Sequence, residues 1–418
     1  MQKKPFMFAI LVLLLAQPFV IVSSIPFAQD TIAQINTTEA ITQSAGSRLD
    51  PEDYTQHVPI VIDEDADFVT QGWPGSGTDV DPFVISGLNI TYDYADYLIK
   101  ITNTDEYFVI EDCFLRQLSS SSSILIENVS HATIRYITIM SESGGIEAVN
   151  ADGTYIHYVH VESIGDYCLY ANEATDLNLY HSLYNSTSYN AVWINASKAA
   201  VIGESIFDSD WPHQDLVITY SDYVNLYNVE FHISSTELSV SHCNFFFADG
   251  LLSTEGDYGI QLYNCNDSVI QDADITSEYS AMTMYFCENI TVTDSVFSDN
   301  AGSQTIYVYS SNEVSFYQIL VNDTSGDGIL AFSSPFLSVT HSVLSHNGDD
   351  GIVLDASNDS DIISNSFEYT DDAVVIDQSH RANVSLNTMT SGIGRGVFSG
   401  ISDNVTISHN EFGDANAA

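Results

Sequence analysis

Residues 351–390 read GIVLDASNDSDIISNSFEYTDDAVVIDQSHRANVSLNTMT and contain one pattern twice. Ile352 and Leu354 return as Val374 and Ile376, Ser357 as Ser379, and Ile362 as Val384, each 22 residues later. Followed outward, the first position of the pattern runs through Ile99, Ile124, Ile146, Leu169, Val192, Leu216, Leu238, Ile260, Met282, Ile306, Ile329, Ile352, Val374 and Val397, in steps of 22 to 25 residues. Two positions on, the side chain is apolar in every repeat but the last, where Ser399 stands. Ten positions on come Val109, Ile134, Ile156, Leu179, Ile202, Leu226, Ala248, Ile270, Val292, Phe316, Val339, Ile362, Val384 and Ile407, without a polar exception. At the chain's overall apolar content, such a column arises by chance roughly one time in 100,000.

The residue between the first two apolar positions is mixed, which is the period-two signature of a strand with one face buried. Each repeat therefore holds at least two short strands, with turn residues between them and no helical period. Repeats of this kind stack as a right-handed parallel β-helix, an all-β solenoid of about 14 rungs and roughly 65 Å at ~4.8 Å per rung. The fifth position after each first strand residue is small in every rung, from Thr104, Val129 and Ala151 to Ser357, Ser379 and Ser402. A tight inward turn admits only such side chains. Cys243, Cys265 and Cys287 occupy this column in successive rungs. They read as a ladder of small buried residues, with room for at most one rung-to-rung disulfide. Cys113 and Cys168 lie elsewhere in the rung, and no two histidines join the cysteines at zinc-ligand spacing.

Outside the repeat, Met1-Gln2-Lys3-Lys4 precedes an apolar run from Phe6 that continues past Gln17-Pro18 to Val22. Residues 1–28 are thus expected to be a signal peptide or an N-terminal anchor, and either would export the body. Residues 29–57 read as a Thr/Ser-rich spacer, residues 58–95 as an opening rung and cap, and residues 96–418 as the β-helix. Capping is needed because an open rod end exposes backbone edges. An abrupt stop after Phe412 suggests weak end-to-end self-association. In the rung that begins at Leu238, Ala248 and Ser253 stand where large apolar residues are expected, so a bulge is predicted there. Fifty-seven acidic against nine basic residues give a formal charge of −48, which excludes a nucleic-acid binder and an anionic-membrane surface binder. Eleven Asn-x-Ser/Thr sequons fit a glycosylated exported protein.

The rungs Gly351-Ile352-Val353-Leu354 to Asn365-Ser366-Phe367, and Asn404 to Phe412, resemble the repeat of the pectin-lyase-like superfamily of right-handed β-helices. Within it they are most similar to the NosD-type copper-accessory and carbohydrate-binding proteins, and the segment Gly72 to Ile90 is similar to the opening segment of large exported archaeal β-helix proteins. The resemblance implies the fold over residues 58–418. It leaves activity open, because this fold hosts hydrolases, lyases, epimerases, adhesins and non-enzymatic binders. The copper function it implies lacks a ligand cluster, since the twelve histidines are scattered over different columns.

Function must then reside in outward columns. Tyr263, Tyr285, Tyr309 and Phe332 stand three positions into four successive first strands, followed by Asp355 and Asp377. Aromatic faces at rung spacing suit sugar rings, with flanking carboxylates for hydroxyls, or else they form a stacking ladder that stabilises the sheet. A second column holds Asp327, Asp350, Asp372 and Arg395, with Asp349 and Asp371 one residue earlier. So many carboxylates require a cation, a proton or Arg395, and calcium suits oxygen-only sites such as Asp349, Asp350, Asp371 and Asp372. The column is similar to the carboxylate clusters of polygalacturonases and to the Asp and Arg of calcium-dependent pectate lyases, which implies catalysis by Asp327, Asp350, Asp372 and Arg395. Against that, no histidine occupies the matching column, and His380 and His346 lie elsewhere. Gly348-Asp349-Asp350-Gly351 also reads as a plain turn with positive φ. Asp210 to Asp215 faintly resembles an element of alginate epimerases, without supporting basic residues.

The sequence therefore predicts an exported, acidic, single-domain β-helix at the cell surface or outside the cell that binds a polysaccharide or glycan, or serves as structure. A polysaccharide hydrolase or lyase is the alternative, and a copper-accessory role the third.

Overall fold

The computed structural model describes residues 51–413 except Trp211, Ile233, Asp299, Asn300 and residues 391–393. The expected signal peptide, most of the spacer, the sequon at Asn36 and Trp211 of the Asp210–Asp215 fragment lie outside the described residues. The rest is a parallel β-solenoid of about 14 turns, with 60% strand and 3% helix. Strand pairing follows the first apolar column residue for residue: Ile99 pairs Ile124, Ile124 pairs Ile146, and the chain of partners continues to Val374 and Val397. Ile60 pairs Ile99, so the stack starts one rung before the repeat predicted from sequence.

Each turn holds three strands, not only the two that the repeat demands. The second sheet matches the second apolar column, with one correction. Ile134 pairs Ile110, and Val109 lies beside Thr133. The strand from Phe108 runs one residue out of the assumed register there, and Ile110 is the fully buried side chain. A third sheet stacks Leu115, Ile139, Val161, Tyr184, Phe207 and Phe231, all buried, on one another. All three inward faces meet in one continuous core.

The corners explain the small column. The residue before it adopts positive φ in rung after rung, as at Asn128, Glu173, Ala196, Tyr220 and Ala356, and this turns the chain out of the first sheet. The next residue points inward, where a serine serves two carriers of unmet hydrogen bonds. Ser334 Oγ donates to Phe332 O at 3.0 Å and accepts from Ser311 N at 3.1 Å. Ser357, Ser379 and Ser402 continue the ladder at 3.0, 2.8 and 2.9 Å. An equivalent ladder at the corner after the second sheet uses Asn365, Asn387 and Asn410, with amide oxygens 2.8 to 2.9 Å from the preceding rung's backbone N–H. All five cysteines are buried free thiols.

The bulge appears where predicted. The strand Phe247–Tyr263 slips register between Ser253 and Gly256 and again between Gly256 and Tyr258. At the start of the rod the sequence reading missed a helix, α1 (Asp65–Gln71), N-capped by Glu64 with Asp67 reciprocating. Its one buried side chain, Phe68, stacks on Phe83 at 4.6 Å and reaches Phe108 at 5.8 Å, which closes this end of the core. At the other end the last described rung leaves Ile407 and Phe412 about half exposed.

Candidate functional site

A concavity on the outer face of the first sheet was not among the predicted sites. It encloses about 390 Å³ and is lined by Ser122, Ile146, Glu147, Asp166, Tyr167, Tyr170, Tyr189 and Trp193. Glu147, Tyr170 and Trp193 each follow an inward residue of the strands Ile146–Asp152, Leu169–Asn172 and Val192–Asn195, so the period of two points them outward. Pairing sets them side by side, Glu147 against Tyr170 and Tyr170 against Trp193. Asp166, Tyr167 and Tyr189 come from the corners that lead into the last two of these strands, and Ser122 from the corner before Ile124–Ser130 one rung earlier; together they form the wall.

The aromatic groups touch one another. Tyr167 and Tyr189 meet edge to face at 4.5 Å, while Trp193 lies 5.3 Å from Tyr167 and 5.2 Å from Tyr170. Polar contacts hold the floor in place. Trp193 Nε1 donates to Thr219 Oγ1 at 2.9 Å, Thr219 Oγ1 to Asn195 Oδ1 at 2.7 Å, and Asn195 Nδ2 to Asn172 Oδ1 at 2.7 Å. Glu147 accepts from Ser122 Oγ at 2.5 Å and from the Tyr97 hydroxyl at 3.4 Å. Burial, then the hydrogen bond with Tyr189, raises the Tyr167 phenol far above its ordinary value. Such a cleft offers flat apolar faces with carboxylate acceptors at the edge, the lining that a sugar ring requires.

The predicted aromatic column is continuous in register but not flat. Tyr309 and Phe332 are parallel at 5.6 Å, whereas Phe286 inserts edge-on between Tyr263 and Tyr309, 5.6 Å from each. Tyr285 meets Tyr307 edge-on at 5.8 Å, and burial raises its phenol. This geometry belongs to a stacking ladder more than to a platform. Asp355 pairs Phe332 and Asp377 pairs Asp355, and Asp377 also accepts from Ile401 N at 3.1 Å.

In the aspartate column each carboxylate reaches along the rod to the next rung. Asp327 Oδ1 accepts from Asp350 N at 3.0 Å, and Asp350 Oδ1 from Asp372 N at 2.9 Å. Asp372, almost fully buried, forms a two-point ion pair with Arg395, with Nε at 2.8 Å. Burial pushes Asp327 up to about 6 and raises Asp350 as well. Asp327 and Asp350 thus each hold a backbone N–H of the next rung with one oxygen, while Asp372 gives both of its oxygens to Arg395. Asp349 and Asp371 are exposed. Among the described residues no three carboxylate, imidazole or thiol groups converge to hold a metal. The turn Gly348–Gly351 contains no positive φ, contrary to expectation. Its glycines are required by close approach instead, since a Cβ on Gly351 would stand 2.6 Å from Ala373 O and one on Gly348 2.3 Å from Ser325 O. His346 stacks on Tyr369 at 4.7 Å, and His380 Nδ1 accepts from Asp403 N at 3.0 Å.

The signal for the cleft was present in the sequence as two aromatic sets in the same two rungs, Tyr167 with Tyr170 and Tyr189 with Trp193. Tyr170 and Trp193 share one column with Glu147, but Tyr167 and Tyr189 stand outside it in the preceding corners, so a reading down single columns finds two of the four rings.

Residues 237–418 match the family described as periplasmic copper-binding protein (NosD), less than half of the chain but including both rungs whose repeat carries the resemblance. No curated protein matches. Among solved structures, the chain is similar to tailspike protein 3 of bacteriophage CBA120, with 10% identity and a TM-score of 0.39 over 91% of this chain, and it spans 59% of that protein's length. It is also similar to a mannuronan C-5 epimerase A-module from Azotobacter vinelandii, at 12% identity and TM-score 0.45 over 83% of this chain and 99% of that one. A double mutant of the periplasmic alginate epimerase gives 12% identity and TM-score 0.39 over 85% and 84%.

Proposed function

We propose that this protein is an exported β-helix that binds a glycan in the cleft built by Tyr167, Tyr170, Tyr189 and Trp193. The observation that carries this reading is the cleft itself, in which four contacting aromatic rings and two carboxylates line about 390 Å³. The apolar run of residues 6–22 supports export to the cell surface or beyond. The copper binding in the description of the matched family finds no support in the placement of this chain's histidines. Several are held by carboxylates on the surface, such as His181 by Glu204 at 2.8 Å.

Tryptophan fluorescence tests the reading, because Trp193 lines the cleft and would report an occupant. The full chain is titrated with a panel of neutral, amino and acidic oligosaccharides. At least one is expected to bind, and Trp193→Ala or Tyr170→Ala should weaken it by about tenfold, the loss of roughly one stacked ring. Unchanged affinity in both variants, or no ligand in the panel, would sink the proposal.

A further inference from the structure

The lining of the cleft carries a sign as well as a shape. Glu147 and Asp166 face it, and none of its eight lining residues is Lys or Arg. Three cations of the same part of the rod are engaged by other groups, Arg135 by Glu111, Lys100 by Asp63 at 3.1 Å, and Lys198 over the Tyr223 ring at 5.8 Å, while His213 stacks on Tyr189 at 5.9 Å. The phenols feel the resulting field. Burial comes first in raising Tyr97, Tyr170 and Tyr167, and the charge of Glu147 adds to it at Tyr97 and Tyr170, that of Asp166 at Tyr167. Burial resists a charge of either sign, whereas the carboxylates of Glu147 and Asp166 resist an anion and attract a cation.

We infer that the cleft is built for a sugar bearing a free ammonium group, an amino-sugar unit, and excludes uronates. This rests on the glycan reading above and names its ligand class. An ammonium presents three donors and no acceptor, which matches Glu147 and Asp166, while the four aromatic faces add cation–π attraction. Glu147 already accepts from Ser122 and Tyr97, yet an ionised carboxylate has about four acceptor sites and keeps room for another donor. A uronate would bring its carboxylate toward Glu147 and Asp166 with no guanidinium to receive it, and the net charge of −48 repels it at long range too. An N-acetylated sugar fits the shape but makes no use of the charge.

The test titrates the full chain, by tryptophan fluorescence and calorimetry, with the glucosamine disaccharide, its N-acetylated counterpart and digalacturonate. The glucosamine disaccharide is expected to bind with one-to-one stoichiometry and about tenfold more tightly than the acetylated form, to weaken in high salt, and to lose about tenfold on Glu147→Gln. Digalacturonate should not bind. Asp323→Asn, which removes a distant exposed carboxylate, controls for general attraction to an acidic protein and should change nothing. Equal affinity for the amino and acetylated disaccharides, or an equal loss from Asp323→Asn and Glu147→Gln, would overturn the inference while leaving glycan binding intact. Failure of every sugar in both experiments would remove the glycan reading with it.

Discussion

Glu237 lies in the first-sheet strand Thr236–Ser241, one residue ahead of the first apolar column, where other rungs carry Gly145, Cys168, Ala191, Gly259 and Ala281. Its carboxyl is buried at the bulge, with Oε1 accepting from Gly256 N at 2.9 Å, and one rung earlier the buried Asp215 accepts from Ser209 Oγ at 2.8 Å. The second oxygen of each has no well-formed hydrogen bond. Burial therefore pushes Glu237 up to about 8 and Asp215 well above the carboxylate range. The native state holds these protons at pH values where the unfolded chain has released them, so stability is greatest below the unfolded value and falls as pH rises toward 8. For Glu237 the loss across that window is on the order of 5 kcal/mol. Urea midpoints at pH 5 and pH 8 should show the drop in wild type, and Glu237→Gln should shrink it; an equal drop in both proteins would show that general charge repulsion, not this group, sets it. Asp350 poses a second residue-scale question. Because its Oδ1 serves as an acceptor for Asp372 N, Asp350→Asn should leave the melting temperature unchanged or higher, whereas Asp350→Ala should cost about 1 kcal/mol. An Asn variant that melts as low as the Ala variant would mean that the charge itself stabilises the column.

Among the elements, the third sheet depends on stacked aromatic residues. Tyr184 lies parallel to Phe207 at 5.4 Å, and Phe207 to Phe231 at 5.9 Å, all fully buried. The run ends at Ser253, which pairs Phe231, and there the next strand bulges around Glu237. Removing the middle ring should be costly, since neither neighbour can move along the rod without breaking its own ladder. Phe207→Ala is expected to destabilise by about 3–5 kcal/mol, read from denaturant unfolding. A loss below 1 kcal/mol would mean that the rod relaxes into the cavity. The first two sheets were legible in sequence because their inward residues keep a constant offset from rung to rung. The third keeps an equally constant offset, five residues beyond the second, as in Ile134 with Ile139 and Leu179 with Tyr184, and its apolar run breaks only at Ser253.

On the scale of the whole molecule, a parallel solenoid turns each column of the sequence into a row on the surface, so the function of a residue depends on which rows meet at a corner. The aromatic row from Tyr263 to Phe332 lies within one sheet face, and its rings pack on one another. The cleft instead joins an outward row of the sheet to side chains rising from the corner beside it, which gives depth as well as aromatic area. Both regions are rich in tyrosine, and the second forms a concavity.

The period of apolar residues, by itself, determined the fold class, the register of the first sheet and most of the second, the small corner column and the bulge near Ser253, because a stacked rung must repeat its inward side chains to bury them. Helix α1 was invisible to that periodicity, since a cap occurs once and answers to the open end of the rod. Tertiary structure alone decided that the aspartate column braces backbone N–H groups, that Gly348 and Gly351 answer to close approach, and that the column of Glu147, Tyr170 and Trp193 shares one cleft with Asp166, Tyr167 and Tyr189 from the corners beside it. Each of these depends on distances between rungs and around corners, which a one-dimensional spacing does not contain.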